Sequence, residues 1–340
     1  MNSSTSRSKH LFAILLGSLI VSYGIGAAYT IWVNPEIRFW KKAYSVKLAH
    51  ARELDATGKP KTVFVGGSSC AFQIDTDRLS DRFDIPSVNM GMHAGMGAKV
   101  VTALAVQTLK PGDRLILNIE PDLLTREKQL TPLGLQFLAA TKNLFILSPL
   151  FSSDPSATLT DIMLSLRPGL RNTVTMLGKL FLGRPLYRYH PSDIHRTGCL
   201  STSEKGAVAV RDVGVLQLSE ESKQWLSKTH TSLKERNIDL RYLLPWMCFT
   251  HDAVPAARKS LQNFAEQVEV FVSLLQDGRH GVDIQLKDFA DTALHTTHDG
   301  AKRRTDLLAK VLMKCQDSAM PTSNAPCPPC PPCETNPFHP

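Results

Sequence analysis

From Leu11 to Val33 the chain carries no charged side chain. At about 1.5 Å of rise per residue, a helix over this run would be roughly 35 Å long, enough to cross the hydrocarbon core of a bilayer. Arg7 and Lys9 precede it, as in an anchor whose N-terminus stays on the cytoplasmic side. The run therefore predicts a short cytoplasmic tail over 1–10 and a single transmembrane helix over 11–33. The rest of the chain would face the periplasmic or extracellular side of the cell membrane. Gly26-Ala27-Ala28 also offers the small residues of a signal-peptidase site. Apolar sequence continues through Ile31-Trp32-Val33, which favours an anchor that is kept. Arg38, Lys41, Lys42 and Lys47 follow the span and weigh against its orientation rather than its existence.

Beyond the span the composition is that of a folded protein, with 43% apolar and 21% charged residues over the whole chain. The net charge of +8 is dispersed, and only Lys302-Arg303-Arg304 forms a tight basic cluster. No basic stretch is interleaved with aromatic residues, which argues against a nucleic-acid partner. No glycine-rich phosphate loop, dinucleotide fingerprint or paired zinc-ligand helix is visible, so neither a cofactor nor a metal is expected.

Residues 34–60 read as an amphipathic helical stalk. Thr62-Val63-Phe64-Val65 is a short buried strand that runs into Gly66-Gly67. Helical pattern over Ile74–Phe83 and Ala94–Leu109 alternates with strand pattern over Ile85–Met90 and Arg114–Ile119. That rhythm predicts βαβ units and a parallel sheet. It breaks over 124–215, an apolar, proline-punctuated stretch read as a helical, lid-like insertion. It resumes with a helix over Glu220–Arg236, a strand over Asp239–Leu244 and a helix over Ala253–Gln276. A short strand over Val282–Leu286 and a helix over Ala301–Lys314 close the domain, which spans 61–315. The tail over 316–340 carries Cys327-Pro328-Pro329-Cys330-Pro331-Pro332-Cys333 and reads as extended or disordered. Its three thiols, with His339 distant, fall short of a four-ligand structural zinc site.

Two segments carry potential chemistry. The first is Gly66-Gly67-Ser68-Ser69-Cys70 at the carboxyl end of the first strand, where open α/β sheets bind their ligands. A serine here is either a helix cap or a nucleophile presented to the cleft, and Cys70 beside it is a second candidate nucleophile. The second segment is Asp291-Thr292-Ala293-Leu294-His295-Thr296-Thr297-His298, just before the last helix. A serine needs a base, and the base works best when a third group orients it. One loop carrying an Asp and a His supplies both, with His295 or His298 as the base.

Taken together, these segments resemble the SGNH hydrolase superfamily, over roughly 61–125 and 237–315. Gly67-Ser68-Ser69 is similar to the family's nucleophile block as it occurs in envelope-associated branches that O-acetylate polysaccharides or alanylate teichoic acids. That alignment implies Ser69 as the nucleophile. Val88-Asn89-Met90-Gly91-Met92-His93 resembles the glycine block and implies the Gly91 N–H as an oxyanion donor, with His93 beside it against the substrate. Asp291 and His295 resemble the family's acid and base, spaced Asp-x-x-x-His rather than Asp-x-x-His. In place of the family's Gly-x-Asn-Asp stands Asn118-Ile119-Glu120-Pro121-Asp122, in which Asn118 is the candidate third donor.

The resemblance implies a three-layer α/β/α fold around a flavodoxin-like parallel sheet, needing no cofactor. It implies a serine esterase or O-acyltransferase that handles an acylated cell-envelope glycan through an acyl-serine. Its partners would be that glycan or an acyl donor, the membrane through residues 11–33, and an acyl-exporting membrane protein. A non-catalytic envelope scaffold on the same fold and a lipid esterase are the alternatives. Tyr187, Arg188, Tyr189 and His190 form an aromatic-basic group that either contacts a sugar or packs a helix end. Trp246 is expected to form a hydrophobic wall.

Overall fold

The computed structural model describes residues 3–127, 130–147, 155–166, 170–202 and 204–317. The cysteine- and proline-rich tail beyond 317 lies outside the described residues. By internal contacts the chain divides into two units, one of residues 1–42 and 130–191 and the other of 43–129 and 192–340.

The first unit holds α1 (Ser3–Ala28), whose helical path continues as a π-turn over Tyr29–Val33. The stretch Ser8–Val33 is long and apolar enough to cross a membrane, and its apolar side chains are largely exposed. α2 (Pro35–Ala56) begins in this unit and ends in the other. The unit also contains α7 (Pro132–Ala140), α8 (Pro155–Leu166) and α9 (Leu170–Phe181), the short helices expected of the insertion. Residues 192–215 belong to the other unit, so the insertion read from the sequence is shared between two bodies.

The second unit is mixed α/β. Four strands, β1 (Thr62–Gly66), β2 (Ser87–Asn89), β3 (Arg114–Asn118) and β4 (Asp239–Tyr242), form a parallel sheet in the order β2-β1-β3-β4. β1 and β2 are wholly buried and β3 nearly so. That accounts for their apolar, non-alternating sequence, since a strand covered on both faces has no solvent side to mark. Register pairs Val63 with Leu115 and Gly66 with Asn118 across β1 and β3. The chain leaves β1 for β2 on one side and then crosses to β3 on the other. The carboxyl ends of β1 and β3 therefore flank a topological switch point, the place where such sheets open a crevice.

Helices α3 (Ser68–Gln73) and α4 (Thr76–Phe83) connect β1 to β2, and α5 (Ala98–Val106) connects β2 to β3. The single helix expected over Ile74–Phe83 is thus two, because Asp75 leaves helical geometry to cap α4, accepting the Arg78 N–H at 3.0 Å. Gly97, at φ +84, likewise splits Ala94–Met96 from α5. α6 (Pro121–Leu124), α10 (Glu220–Glu235), α11 (Val254–Glu269) and α12 (His298–Asp317) complete the helices. Phe64, Ile74, Leu79, Ile116, Leu243, Leu308 and Leu312 form one buried cluster, bringing α3, α4 and α12 against the sheet. Truncating one such leucine to alanine typically costs about 2–5 kcal/mol.

Two expectations are corrected here. The segment over 34–60 is not a stalk: α2 buries Ile37, Trp40, Ala43, Tyr44, Lys47, His50 and Ala51. Its apolar face is covered, and Lys47 donates to the carbonyls of Asn89, at 2.8 Å, and Gly198. Nor does the last strand run on to Leu286. Only Val282–Asp283 is extended (β6), and it pairs in parallel with β5 (Met247–Cys248). β4 ends short of Pro245, and its Tyr242 edge is met instead by an isolated parallel bridge to Leu274.

Candidate active site

At the carboxyl ends of β1 and β3 the backbone approaches closely. Gly67 caps α3 without a side chain, and a Cβ placed on it would lie 2.3 Å from both carboxylate oxygens of Glu120. Only glycine lets that carboxylate reach the turn. Glu120 is fully buried, and each of its oxygens accepts one backbone N–H, from Gly67 at 3.1 Å and from Ser69 at 3.0 Å. These are among the first N–H groups of α3, which lack partners within the helix. Burial raises the Glu120 carboxyl pKa, and the bonds from Ser69 oppose that shift.

Capping in this way starts the helix at Ser68 and fixes which serine faces His295. Ser68 is half-buried, and its hydroxyl lies 2.8 Å from His295 Nε2. Ser69 is one helical step on, fully buried, and its N–H is committed to Glu120. The hydroxyl that meets the base is therefore Ser68 and not the expected Ser69. The resemblance puts Ser69 at that position, one residue further along the chain.

The structure brings together the Asp and His that the sequence singled out as a pair. His295 Nδ1 lies 2.8 Å from Asp291 Oδ1, and both side chains are nearly inaccessible. A carboxylate on Nδ1 fixes the ring with its proton there and leaves Nε2 as the acceptor facing the Ser68 hydroxyl. The loop is held from several directions. Thr292 Oγ1 accepts the N–H groups of Leu294 and His295 at 3.2 and 3.1 Å. Thr296 Oγ1 donates to Phe72 O at 2.7 Å, and the Phe72 ring stacks on His295 at 4.5 Å between centroids. The Cys248 N–H donates to Ala293 O at 2.9 Å. Gln73 is fully buried; its amide donates to Trp246 O at 2.6 Å and to Leu294 O, and accepts the Trp246 N–H at 2.9 Å. Nothing in the sequence around Gln73 marked it as the clamp between α3 and the base loop.

The expected oxyanion donors are placed otherwise. Asn118 turns its amide N–H to Leu243 O at 2.8 Å, because its backbone is locked in register opposite Gly66. The Gly91 N–H donates to Asn89 Oδ1 at 2.9 Å. That Asn89 amide also bonds Cys70 O and Ile74 O at 2.9 and 2.8 Å, tying β2 to α3. A Cβ on Gly91 would lie 2.4 Å from Ala71 N, so the glycine serves close packing against α3. His93 sits near the base: its pKa is lowered to about 4, first by burial and then by His295. The ring is therefore neutral. His93 Nδ1 accepts the Gly95 N–H at 2.9 Å, which places the ring proton on Nε2.

The remaining candidates resolve by packing. Cys70 is buried, and its thiol is pushed up to about 12 by burial, the opposite of what a nucleophilic thiolate needs. His298 opens α12 with its ring near-parallel to that of His195, and the ring meeting Ser68 is His295. Trp246 has no exposed surface and lies beneath the guanidinium groups of Arg303 and Arg304. Tyr187 accepts from Trp40 Nε1 at 2.8 Å and, with Tyr189, packs around Phe39. No model of a known protein family matches the chain, and no curated protein matches it.

Proposed function

We propose that this protein is a membrane-anchored serine esterase or O-acyltransferase of the SGNH type, with Ser68 as nucleophile, His295 as base and Asp291 orienting it. The observation that carries this reading is the continuous Ser68–His295–Asp291 relay, with both links at 2.8 Å. The sheet order β2-β1-β3-β4 and the site's place at the switch point agree with the three-layer fold implied by the resemblance.

In the proposed reaction the Ser68 hydroxyl attacks an ester carbonyl while His295 Nε2 takes its proton. The oxyanion is received by the Ser68 backbone N–H, in the first turn of α3, and by the neutral His93 Nε2–H. A neutral imidazole can fill such a donor role when its environment keeps its pKa low. Collapse expels the alcohol, which takes the proton from His295 and leaves an acyl-serine. Water or a glycan hydroxyl then attacks the acyl group, again with His295 as base, and Ser68 is regenerated. Anchoring through residues 11–33, with the site outside the cytoplasm, suits an acylated cell-envelope glycan and an acyl-exporting membrane protein as partner.

The test is reaction of the detergent-solubilised chain with a fluorophosphonate, followed by mapping of the adduct. Label is expected on Ser68, lost in Ser68→Ala and His295→Ala and retained in Ser69→Ala. A wild-type chain that fails to react sinks the enzyme reading and leaves a scaffold on a hydrolase-like fold. Label on Ser69 sinks the assignment of the nucleophile. Acetylated glycans with and without an added sugar acceptor then separate hydrolysis from transfer.

A further inference from the structure

His298 was a candidate base, and its ring instead faces a second cluster of polar side chains. His195 lies 6.1 Å away between ring centroids, with the planes 14° apart. His195 and Cys199 are brought together by a tight turn, His195-Arg196-Thr197-Gly198-Cys199. The His195 N–H donates to Cys199 O at 2.9 Å, and Gly198 adopts φ +93 at the bend. Asp77, in the first turn of α4, faces that turn. Its Oδ2 lies 3.7 Å from His195 Nδ1 and 3.8 Å from Cys199 Sγ. One donor atom from each of the three residues falls within 4.8 Å of the others.

We propose that Asp77, His195 and Cys199 bind one divalent transition-metal ion of the zinc class, with water completing a tetrahedron. The spacing is the first argument. With metal–sulfur, –nitrogen and –oxygen bonds of about 2.3, 2.0 and 2.1 Å, tetrahedral ligands stand about 3.4 Å (N to O) and 3.6 Å (S to O) apart. The observed separations exceed these by only a few tenths of an ångström, within reach of small side-chain adjustments. Orientation is the second. His195 Nε2 lies 2.8 Å from Ser201 Oγ, a hydroxyl that can accept the ring proton on Nε2 and so leave Nδ1 as the ligand towards the cluster. Metal-ligating histidines are oriented by this kind of contact on the far nitrogen. Charge is the third. Binding releases the Cys199 proton to solvent, and one thiolate with one carboxylate neutralises the dication.

Space and access agree with these arguments. Beside the cluster lies a small cavity of about 10 Å³, near the size of one water, bordered by His195, Cys199, His298 and Phe72 but not by Asp77. Cys199 is buried while Asp77 and His195 are half-exposed, so an ion has a way in. The rival for the carboxylate is weak. Arg196 Nη2 approaches the other oxygen, Asp77 Oδ1, only to 3.8 Å and is itself largely exposed. The ion would tie the 195–199 turn to α4, and His298 borders the same cavity at the foot of the helix that follows the base loop. This site does not depend on the serine chemistry proposed above.

The test uses the full chain with Cys327, Cys330 and Cys333 replaced by serine, so that tail thiols do not contribute. After chelation, Co²⁺ is titrated in. Saturation at one equivalent is expected, with a thiolate-to-cobalt absorption band and visible bands of tetrahedral intensity. Cys199→Ser should lose the thiolate band, and Ser201→Ala should weaken binding about 10–100-fold, as loss of an orienting partner does. Ser68→Ala should leave binding unchanged. Absence of the thiolate band in the parent, or its persistence in Cys199→Ser, overturns the proposal. If Cys199→Ser does not fold, the parent spectrum and Asp77→Asn decide it, because Asp77→Asn must weaken binding.

Discussion

Glu120→Gln is nominally a conservative change, and the geometry predicts that it is not. The two oxygens of Glu120 each accept one backbone N–H, from Gly67 and Ser69. An amide has one oxygen, so its other end sets an NH₂ against a backbone N–H. One charge-assisted bond becomes a neutral one, and the other becomes a contact between two donors. A bond to a charged group contributes about 1.5–3 kcal/mol, and a buried donor left unsatisfied costs about 1–3 kcal/mol. Against this stands relief from burying a carboxylate, whose cost is visible in its raised pKa. We expect a net loss of about 2 kcal/mol. For a domain of 150–250 residues that is a fall of roughly 4–8 °C in Tm. The same bonds set the start of α3, and therefore the position of the Ser68 hydroxyl. Displacement of a reacting atom by about 1 Å can lower a rate about 10²-fold, and that is the expected drop in labelling of Ser68 by a fluorophosphonate. Thermal unfolding and labelling kinetics on the detergent-solubilised chain supply both numbers. A Glu120→Gln protein with wild-type Tm and labelling rate would refute the claim that this carboxylate holds the turn.

Two further outcomes follow from the same geometry. Asp291→Asn should keep the fold yet slow acylation of Ser68 by about 10⁴-fold, because the amide can hold His295 with its proton on the wrong nitrogen; equal rates would separate Asp291 from the base. His93 makes stability depend on pH. Its folded pKa, about 4, lies below the ordinary 6.5, so the unfolded chain binds the proton more readily. The stabilisation from keeping the ring neutral is complete above pH 6.5 and is lost as pH falls towards 4, by about 3 kcal/mol at most. His93→Gln should flatten the Tm profile over that window, and parallel profiles for the two proteins would count against the burial of a neutral imidazole.

The parallel strands were legible because full burial leaves continuous apolar runs such as Thr62–Val65 between turn residues. The Asp291–His295 contact was legible because the two are local to each other, and one short segment sets their spacing. What the sequence did not disclose are contacts across long separations. The Asn118 side chain is turned by a carbonyl at Leu243, and Gly91 by its tie to Asn89 within a packed β2–α3 junction. Gln73 reaches Trp246 and Leu294, more than 170 residues along the chain. The paired serines posed the same difficulty in its sharpest form. Both lie just after the glycine pair, both stand in the first turn of a helix, and composition treats them alike.

What separates those serines is helix phase, since each residue turns about 100° around the axis. The phase is set where the helix begins, and α3 begins where Glu120 satisfies the N–H groups of Gly67 and Ser69. Ser69 gives its N–H to that carboxylate and is turned into the core, while Ser68 keeps a hydroxyl on the crevice side against His295. A single buried acid some fifty residues downstream thus decides which serine meets the base. The same acid stands in the segment where the resemblance to SGNH hydrolases is weakest, Asn118-Ile119-Glu120-Pro121-Asp122. On the proposed reading, the departure from the family's pattern and the choice of serine have one cause. Glu120 fills the turn and Asn118 faces away, and in the proposed mechanism the oxyanion is received instead by the Ser68 N–H and His93. If that is so, His93→Ala should reduce acylation by the about 10²–10³-fold typical of a lost oxyanion donor, while Asn118→Ala at equal folding should leave it nearly unchanged. The reverse ranking would return the donor role to Asn118 and show that the side chain swings back when substrate binds.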